Sequence, residues 1–141
     1  ERMEVWKSGS QRTNDLVTEP CTEDITIKHL LTHTSGISYG FDEGGESNPV
    51  DYLYNQAQVE GDSSTTLTQF VANLAAMPLL FQPGSRWQYG FNTSLCGLLV
   101  ELISGMPFEE FLRKRVFAPL GMVDTGFWCP PEKVHRLLDC Y

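Results

Sequence analysis

The sequence predicts a mostly α fold, on three observations. From Asp24 onward apolar residues recur three and four apart rather than alternately, the runs open on recognised capping residues, and glycine or proline closes them. Strand signal is thin, since residues 3–6 and 86–89 are the only candidate extended segments and neither alternates over a convincing length.

The first helix is predicted over 26–33, with Ile27, Leu30 and Leu31 on one face and Gly36 as the stop. The second opens on Asn48-Pro49, a capping residue followed by a proline whose missing N–H costs nothing at the first helical position. Its stripe is Val50, Leu53, Tyr54 and Ala57. Thr66 and Gln69 have the spacing of a capping box, so a third helix starts there and buries Leu67, Phe70, Val71 and Leu74 before Pro78 ends it. The fourth pattern is the strongest, with Leu95, Leu98, Leu99, Leu102 and Ile103 at the helical period and Gly105 closing the run. A fifth helix starts at Pro107 and carries Phe108, Phe111, Leu112 and Val116; a sixth starts near Pro131 and aligns Val134, Leu137, Leu138 and Tyr141. Residues 41–48, rich in Asp42, Glu43, Gly44, Gly45 and Glu46, and residues 60–65 read as mobile acidic loops. Neither marks a domain boundary, so Glu1–Tyr141 reads as one partial domain with one core.

Composition narrows the function. A formal net charge of -8 opposes binding to nucleic acid, because a polyanion is repelled unless a basic stripe overcomes the bulk field. Arg113-Lys114-Arg115 is too small for that, and behind Glu109 and Glu110 it reads as a solvated helix face. No apolar run reaches the ~18 residues that a membrane span needs. Residues 1–4 carry no secretory pattern, and Glu1 is not a translation start, so the sequence reads as beginning inside something longer or as following a processing event. Cys21, Cys96, Cys129 and Cys140 are scattered without a Cys-x-x-Cys pair, which argues against zinc and against a disulfide framework and favours a reducing, cytoplasmic compartment.

Three local patterns point toward chemistry. Gly36-Ile37-Ser38-Tyr39-Gly40 matches G-x-S-x-G, but that nucleophile needs a strand before it and a helix after it. Here a helix precedes and an acidic loop follows, so the match reads as fortuitous. His29 and His33 are four apart on the first predicted helix, the spacing of a zinc pair, yet Leu30 stands where a metalloprotease carries its glutamate, and no metal is expected. Tyr89 follows a turn at Pro83-Gly84 in an aromatic segment. A tyrosine serves as general base only where positive charge lowers its pKa from about 10, and spacing alone reads Tyr89 as a packed aromatic.

Three blocks change that weighting: Ile25-Thr26-Ile27-Lys28-His29-Leu30-Leu31-Thr32-His33-Thr34-Ser35-Gly36, then Phe81-Gln82-Pro83-Gly84-Ser85-Arg86-Trp87-Gln88-Tyr89, then Ala118-Pro119-Leu120-Gly121-Met122-Val123-Asp124-Thr125-Gly126-Phe127. In order and separation they resemble the β-lactamase-related serine hydrolases, a family that includes class C β-lactamases, esterases and penicillin-binding proteins. The resemblance covers essentially the whole chain. It implies a helical subdomain of an α/β β-lactamase/transpeptidase-like fold and an acyl-enzyme mechanism on small ester or amide substrates, with no cofactor. In that family a Ser-x-x-Lys serine attacks the carbonyl and a tyrosine works with the lysine to shuttle its proton; a Lys-Thr-Gly element lines the facing wall. The resemblance gives the tyrosine role to Tyr89.

No Ser-x-x-Lys occurs in the sequence, and Thr125-Gly126 follows Asp124 rather than lysine. The nucleophile is therefore expected outside this chain, with the remainder of the domain needed to complete the site. The family often reads Tyr-x-Asn, whereas here Tyr89-Gly90 is followed by Phe91, with Asn92 one place late. Phe91 and Asn92 are the positions the resemblance offers for substrate contact, and the displaced asparagine favours esters over β-lactams. Helices built to pack on a missing sheet should expose apolar faces, with Leu98, Leu102 and Phe111 as candidates. The competing reading is a non-catalytic helical interaction module that kept the scaffold and lost the site.

Overall fold

A computed structural model of the chain describes residues 3–10, 13–40 and 48–138. The acidic residues 42–46 and the ends Cys140 and Tyr141 lie outside the described residues. The chain divides into two compact units, Glu1–Leu99 and Val100–Tyr141. The division falls inside the strongest helix rather than in either acidic loop.

In the first unit β1 (Glu4–Ser8) pairs antiparallel with β2 (Val17–Pro20), in the register Val5 opposite Glu19 and Trp6 opposite Thr18. Only β1 was legible as extended. Val17-Thr18-Glu19-Pro20 is too short to show alternation, and its terminal proline can sit only where no ladder hydrogen bond is needed. Leu79 joins β1 from the other side: the Trp6 N–H donates to its carbonyl at 2.7 Å, and its own N–H donates to the Glu4 carbonyl at 2.8 Å. The predicted extended segment 86–89 forms no strand.

Helix α1 (Ile27–Leu31) starts on a capping box in which the Thr26 hydroxyl accepts the His29 N–H and the His29 ring accepts the Thr26 N–H. It is shorter than the predicted 26–33. Thr32 already stands at its C-terminal cap and His33 has left-handed backbone, φ 53°. Five residues cannot present a stripe, so Leu30 is buried while Ile27 and Leu31 face solvent. The same shortening removes the zinc-pair geometry, because His33 is no longer on the helix that carries His29.

Helix α2 (Pro49–Gln56) has the predicted Asn48 cap, whose side chain accepts the Asp51 N–H. It buries Val50 and Tyr54, and Ala57 is exposed beyond its end. Helix α3 (Leu67–Ala75) has both halves of the Thr66–Gln69 capping box and buries Phe70 and Leu74. Residues 60–65 form a self-bonded turn, with the Asp62 carboxylate accepting from the Ser64 N–H and hydroxyl. The core of this unit gathers Val5, Leu30, Ile37, Tyr54, Leu74 and Leu79 around one cluster. Leu95, Cys96 and Leu99 pack against that cluster from the start of α4 (Asn92–Ser104). Burial raises the Cys96 thiol pKa, in keeping with a space-filling role. Cys21, Cys96 and Cys129 are free thiols.

The second unit begins in the last turns of α4, which Gly105 closes at φ 68°. After Pro107 comes α5 (Phe108–Leu112), whose Phe108 N–H donates to the Glu101 carboxylate at 2.8 Å. It runs on into a π-helical turn (Arg113–Phe117) where Lys114 pairs with Glu110. The basic cluster is thus a helix face, as its acidic neighbours suggested. The predicted sixth helix is a single 3-10 stretch (Pro131–Arg136). Among the described residues none of this unit is buried. Leu102 is 70% and Ile103 79% exposed, as are Leu120, Val123, Phe127 and Trp128 to similar degrees, while Leu98 and Phe111 are half-buried. An amphipathic pattern without its partner surface leaves its apolar side in water, where enclosing one such side chain is worth ~1.5–3 kcal/mol.

Polar contacts order what apolar burial does not. The Asp124 carboxylate accepts from both terminal nitrogens of Arg136, at 3.0 and 2.6 Å, and from Lys133 at 2.9 Å. Arg136, with Lys133 behind it, holds the Asp124 pKa at about 2, below the ordinary 3.8. A carboxyl depressed on folding adds stability above its unfolded pKa and loses it as pH falls through the folded one. Amide protection of residues 124–136 is therefore expected to be flat from neutral pH to about 4 and to fall between 4 and 2. Asp124→Asn should remove that step, which hydrogen exchange read against pH will detect.

Candidate functional site

Tyr89 sits on a segment stitched to the turn that follows α1. Four backbone hydrogen bonds make the seam: Leu80 to Gly36 at 2.8 Å, Gly84 to Thr34 at 2.7 Å, Gln88 to His33 at 2.9 Å and Phe91 to Ser38 at 3.1 Å, donor named first. The strands of chain approach this closely because two glycines pave the contact. A Cβ on Gly36 would stand 2.3 Å from the Phe81 carbonyl oxygen. One on Gly90 would stand 2.1 Å from the Ile37 oxygen and 2.7 Å from that of Ser38. Gly90 therefore sets where its neighbour Tyr89 leaves the backbone.

The Tyr89 side chain is 47% exposed and lies on the His33 ring, with centroids 4.8 Å apart and planes 24° from parallel. Tyr39 leans on it from 5.4 Å. Offset ring pairs at these separations favour one orientation by roughly 0.5–1.5 kcal/mol beyond the area they bury. Arg86, the basic residue closest in sequence, places its guanidinium over the Phe81 ring at 4.5 Å.

Phe91 and Asn92 stand beneath this surface rather than on it. Phe91 is 5% exposed and anchors an aromatic cluster with Tyr39 at 4.6 Å, Phe70 at 5.0 Å and Tyr54 at 6.2 Å. Its edge reaches a cleft of about 220 Å³ between Tyr39-Gly40 and the end of α2. Burial pushes the phenol pKa of Tyr54 up, against a smaller opposing contribution from the Ser38 backbone. Asn92 is fully enclosed: its Oδ1 accepts from the Ser35 hydroxyl at 2.5 Å, and its Nδ2 lies 3.1 Å from His33 Nδ1. Ser35 in turn accepts the Ile37 N–H at 3.1 Å. Asn92→Ala would leave the Ser35 hydroxyl without its acceptor and is expected to cost about 1–3 kcal/mol in denaturant unfolding.

Ser38 is completely buried and its hydroxyl accepts from Asn48 Nδ2 at 3.0 Å. It is a structural serine, placed in a turn with no strand leading into it. The Asn48 amide also reaches the buried Asp51 carboxylate at 2.8 Å, and the Gly40 N–H donates to Asp51 at 2.9 Å. Asp51, which the helical stripe did not single out, thereby ties α2 to the turn carrying Ser38. A larger cavity of about 590 Å³ lies in the second unit, lined by Asp124, Phe127, Trp128, Lys133 and Arg136. It contains none of the predicted site residues, and its walls combine the exposed Phe127 and Trp128 with the charged Asp124, Lys133 and Arg136.

This chain matches the Beta-lactamase family model over residues 4–141 and belongs to that family. It is 36% identical over 110 residues to lovastatin esterase of Penicillium rubens, covering 78% of this chain and 26% of that protein. It is 38% identical over 106 residues to esterase EstB of Burkholderia gladioli, covering 73% and 26%. Among solved structures, EstCE1, a hydrolase with promiscuous acyltransferase activity, superposes with a TM-score of 0.66 at 31% identity, over 85% of this chain and 30% of that one. The fold is the helical part of a β-lactamase/transpeptidase-like structure, and its relatives include esterases, amidases and acyltransferases. The chain spans less than a third of the length of each relative named.

Proposed function

We propose that this chain is the helical part of a serine hydrolase that cleaves small-molecule esters through an acyl-enzyme, with Tyr89 as general acid/base. The nucleophilic serine and its lysine come from a Ser-x-x-Lys outside Glu1–Tyr141. The observation that carries this reading is the setting of Tyr89: a half-exposed phenol, fixed at its base by the glycine seam and along its ring by His33 and Tyr39. A buried tyrosine would have no route to a substrate proton, and a loosely held one would have no fixed geometry. Its phenolate takes the proton of the attacking serine and returns it to the departing alcohol oxygen. With Arg86 held over Phe81, the cation that stabilises that phenolate is the incoming lysine.

Phe91 supplies the floor of the cleft beside Tyr39 and touches substrate only through that edge. Asn92 acts from behind, because its amide is enclosed and committed to Ser35 and His33. An asparagine so placed has no donor or acceptor to offer a β-lactam amide, which supports esters as the substrate class. The exposed Leu102 and Ile103 are covered by the remainder of the domain that completes the site.

The experiment is a comparison of an activated aryl ester with a cephalosporin as substrates of the full-length polypeptide. The ester is expected to be turned over with a kcat/KM higher by about 10²-fold or more, the scale on which a site lacking the matching polar group rejects an analogue. A cephalosporin preferred over the ester would overturn the assignment.

A further inference from the structure

We infer that His33 is a positioning residue for Tyr89: its imidazole, locked in one orientation by the Asn92 amide, is the platform that holds the phenol in its working direction. The inference rests on the assignment of Tyr89 made above. Three independent features of His33 converge on it. Its backbone is held in the left-handed region at φ 53°, a conformation that His, Asn and Asp enter more readily than other side chains. Its carbonyl accepts the Gln88 N–H at 2.9 Å, one residue from Tyr89. Its ring lies nearly parallel to Tyr89 at 4.8 Å. The backbone of one partner and the side chain of the other are thus fixed by the same residue.

The orientation of the imidazole follows from the buried chain behind it. The Ser35 hydroxyl accepts the Ile37 N–H and donates to Asn92 Oδ1, which leaves the Asn92 Nδ2 hydrogens for His33 Nδ1, 3.1 Å away. An amide nitrogen only donates, so Nδ1 accepts and the ring proton sits on Nε2. Asn92 and Ser35 are both fully buried, so this arrangement has no water to exchange with. The ring presented to Tyr89 is therefore held in one orientation, with Nδ1 turned toward the Asn92 amide. His33 itself touches neither substrate nor reacting atoms; it acts through the tyrosine.

The test is a set of variants in the full-length polypeptide. His33→Asn and His33→Gly both accept the left-handed backbone while removing the ring, and His33→Phe keeps a ring to stack on. The ringless variants are expected to lose about 10–100-fold in kcat with KM within about twofold, the penalty of a catalytic group displaced by an ångström or so. His33→Phe should recover only part of that loss, because it keeps a ring to stack on but offers Asn92 no acceptor and enters the left-handed backbone less readily. The reading that a merely structural role would not move is the coupling to Tyr89. In the Tyr89→Phe background, His33→Asn should cost nothing further in kcat, since a platform has no effect once its proton carrier is gone. If Tyr89→Phe is crippled while His33→Asn turns over like wild type, or if the two losses multiply, the platform is refuted and Tyr89 stands. If Tyr89→Phe is itself as active as wild type, the Tyr89 assignment fails and takes the platform with it.

Discussion

Replacing Tyr89 by phenylalanine in the full-length polypeptide is expected to lower kcat for ester hydrolysis by about 10²–10⁴-fold, the range over which a positioned general acid/base contributes. Folding should be almost unaffected. The ring that stacks on His33 and Tyr39 is retained, and the hydroxyl that is lost belongs to a half-exposed side chain. Steady-state kinetics beside a thermal melt separates the outcomes. A large fall in kcat at unchanged Tm assigns the proton to Tyr89, and turnover within about threefold of wild type would remove it from the mechanism.

Gly90→Ala is expected to be among the most destabilising single methyl additions in the first unit. The new Cβ would overlap two carbonyl oxygens, at 2.1 and 2.7 Å. Neither can retreat, because Ile37 and Ser38 are buried and the Ser38 carbonyl is already bonded to the Phe91 N–H. Overpacking of a fixed site costs typically ~1–3 kcal/mol and occasionally more; a backbone clash belongs at the upper end, about 3 kcal/mol. Gly126→Ala is the control, since a Cβ there meets nothing nearer than 3.6 Å and should stay within about 0.5 kcal/mol. Denaturant midpoints of the two variants check the contrast. Activity should fall with Gly90→Ala as well, because the clash displaces the residue from which Tyr89 departs.

What could be read from sequence was what is local. The caps at Asn48 and Thr66 and the stop at Gly105 are decided by hydrogen bonds within four residues, and all three appear where the pattern places them, whereas Thr26, read as the first helical residue, is itself a cap. Which faces are buried was harder to read. Leu30 is buried and Leu31 is not, because α1 ends within five residues; Leu102 and Ile103 continue a good stripe into solvent. Periodicity reports that a face wants a partner and is silent on where that partner is. Strand β2 escaped for want of length, and the division into two compact units inside α4 left no signal in the composition.

Of the proposed site, the sequence offered Tyr89 through the resemblance carried by the block that ends on it. The Ser35–Asn92 bond joins residues 57 apart, and the stacking of His33 on Tyr89 spans a similar distance, so no local pattern carries either. Gly90 was the one available signal. A glycine directly after the tyrosine, in a segment without a turn of its own, marks a close backbone approach. Phe91 and Asn92 were offered for substrate contact by the resemblance; both are buried, and Phe91 also lines the neighbouring cleft.

The measurement that bears most directly on a serine hydrolase completed from outside this chain is the mapping of a covalent adduct. The full-length polypeptide is treated with an activated phosphonate ester, digested, and the modified peptide sequenced by mass spectrometry. One adduct is expected, on a serine with lysine three residues later and outside Glu1–Tyr141. An adduct on Ser38 or any other serine within the chain would contradict the account, and so would a full-length protein that takes up none, which would leave the scaffold as an interaction module.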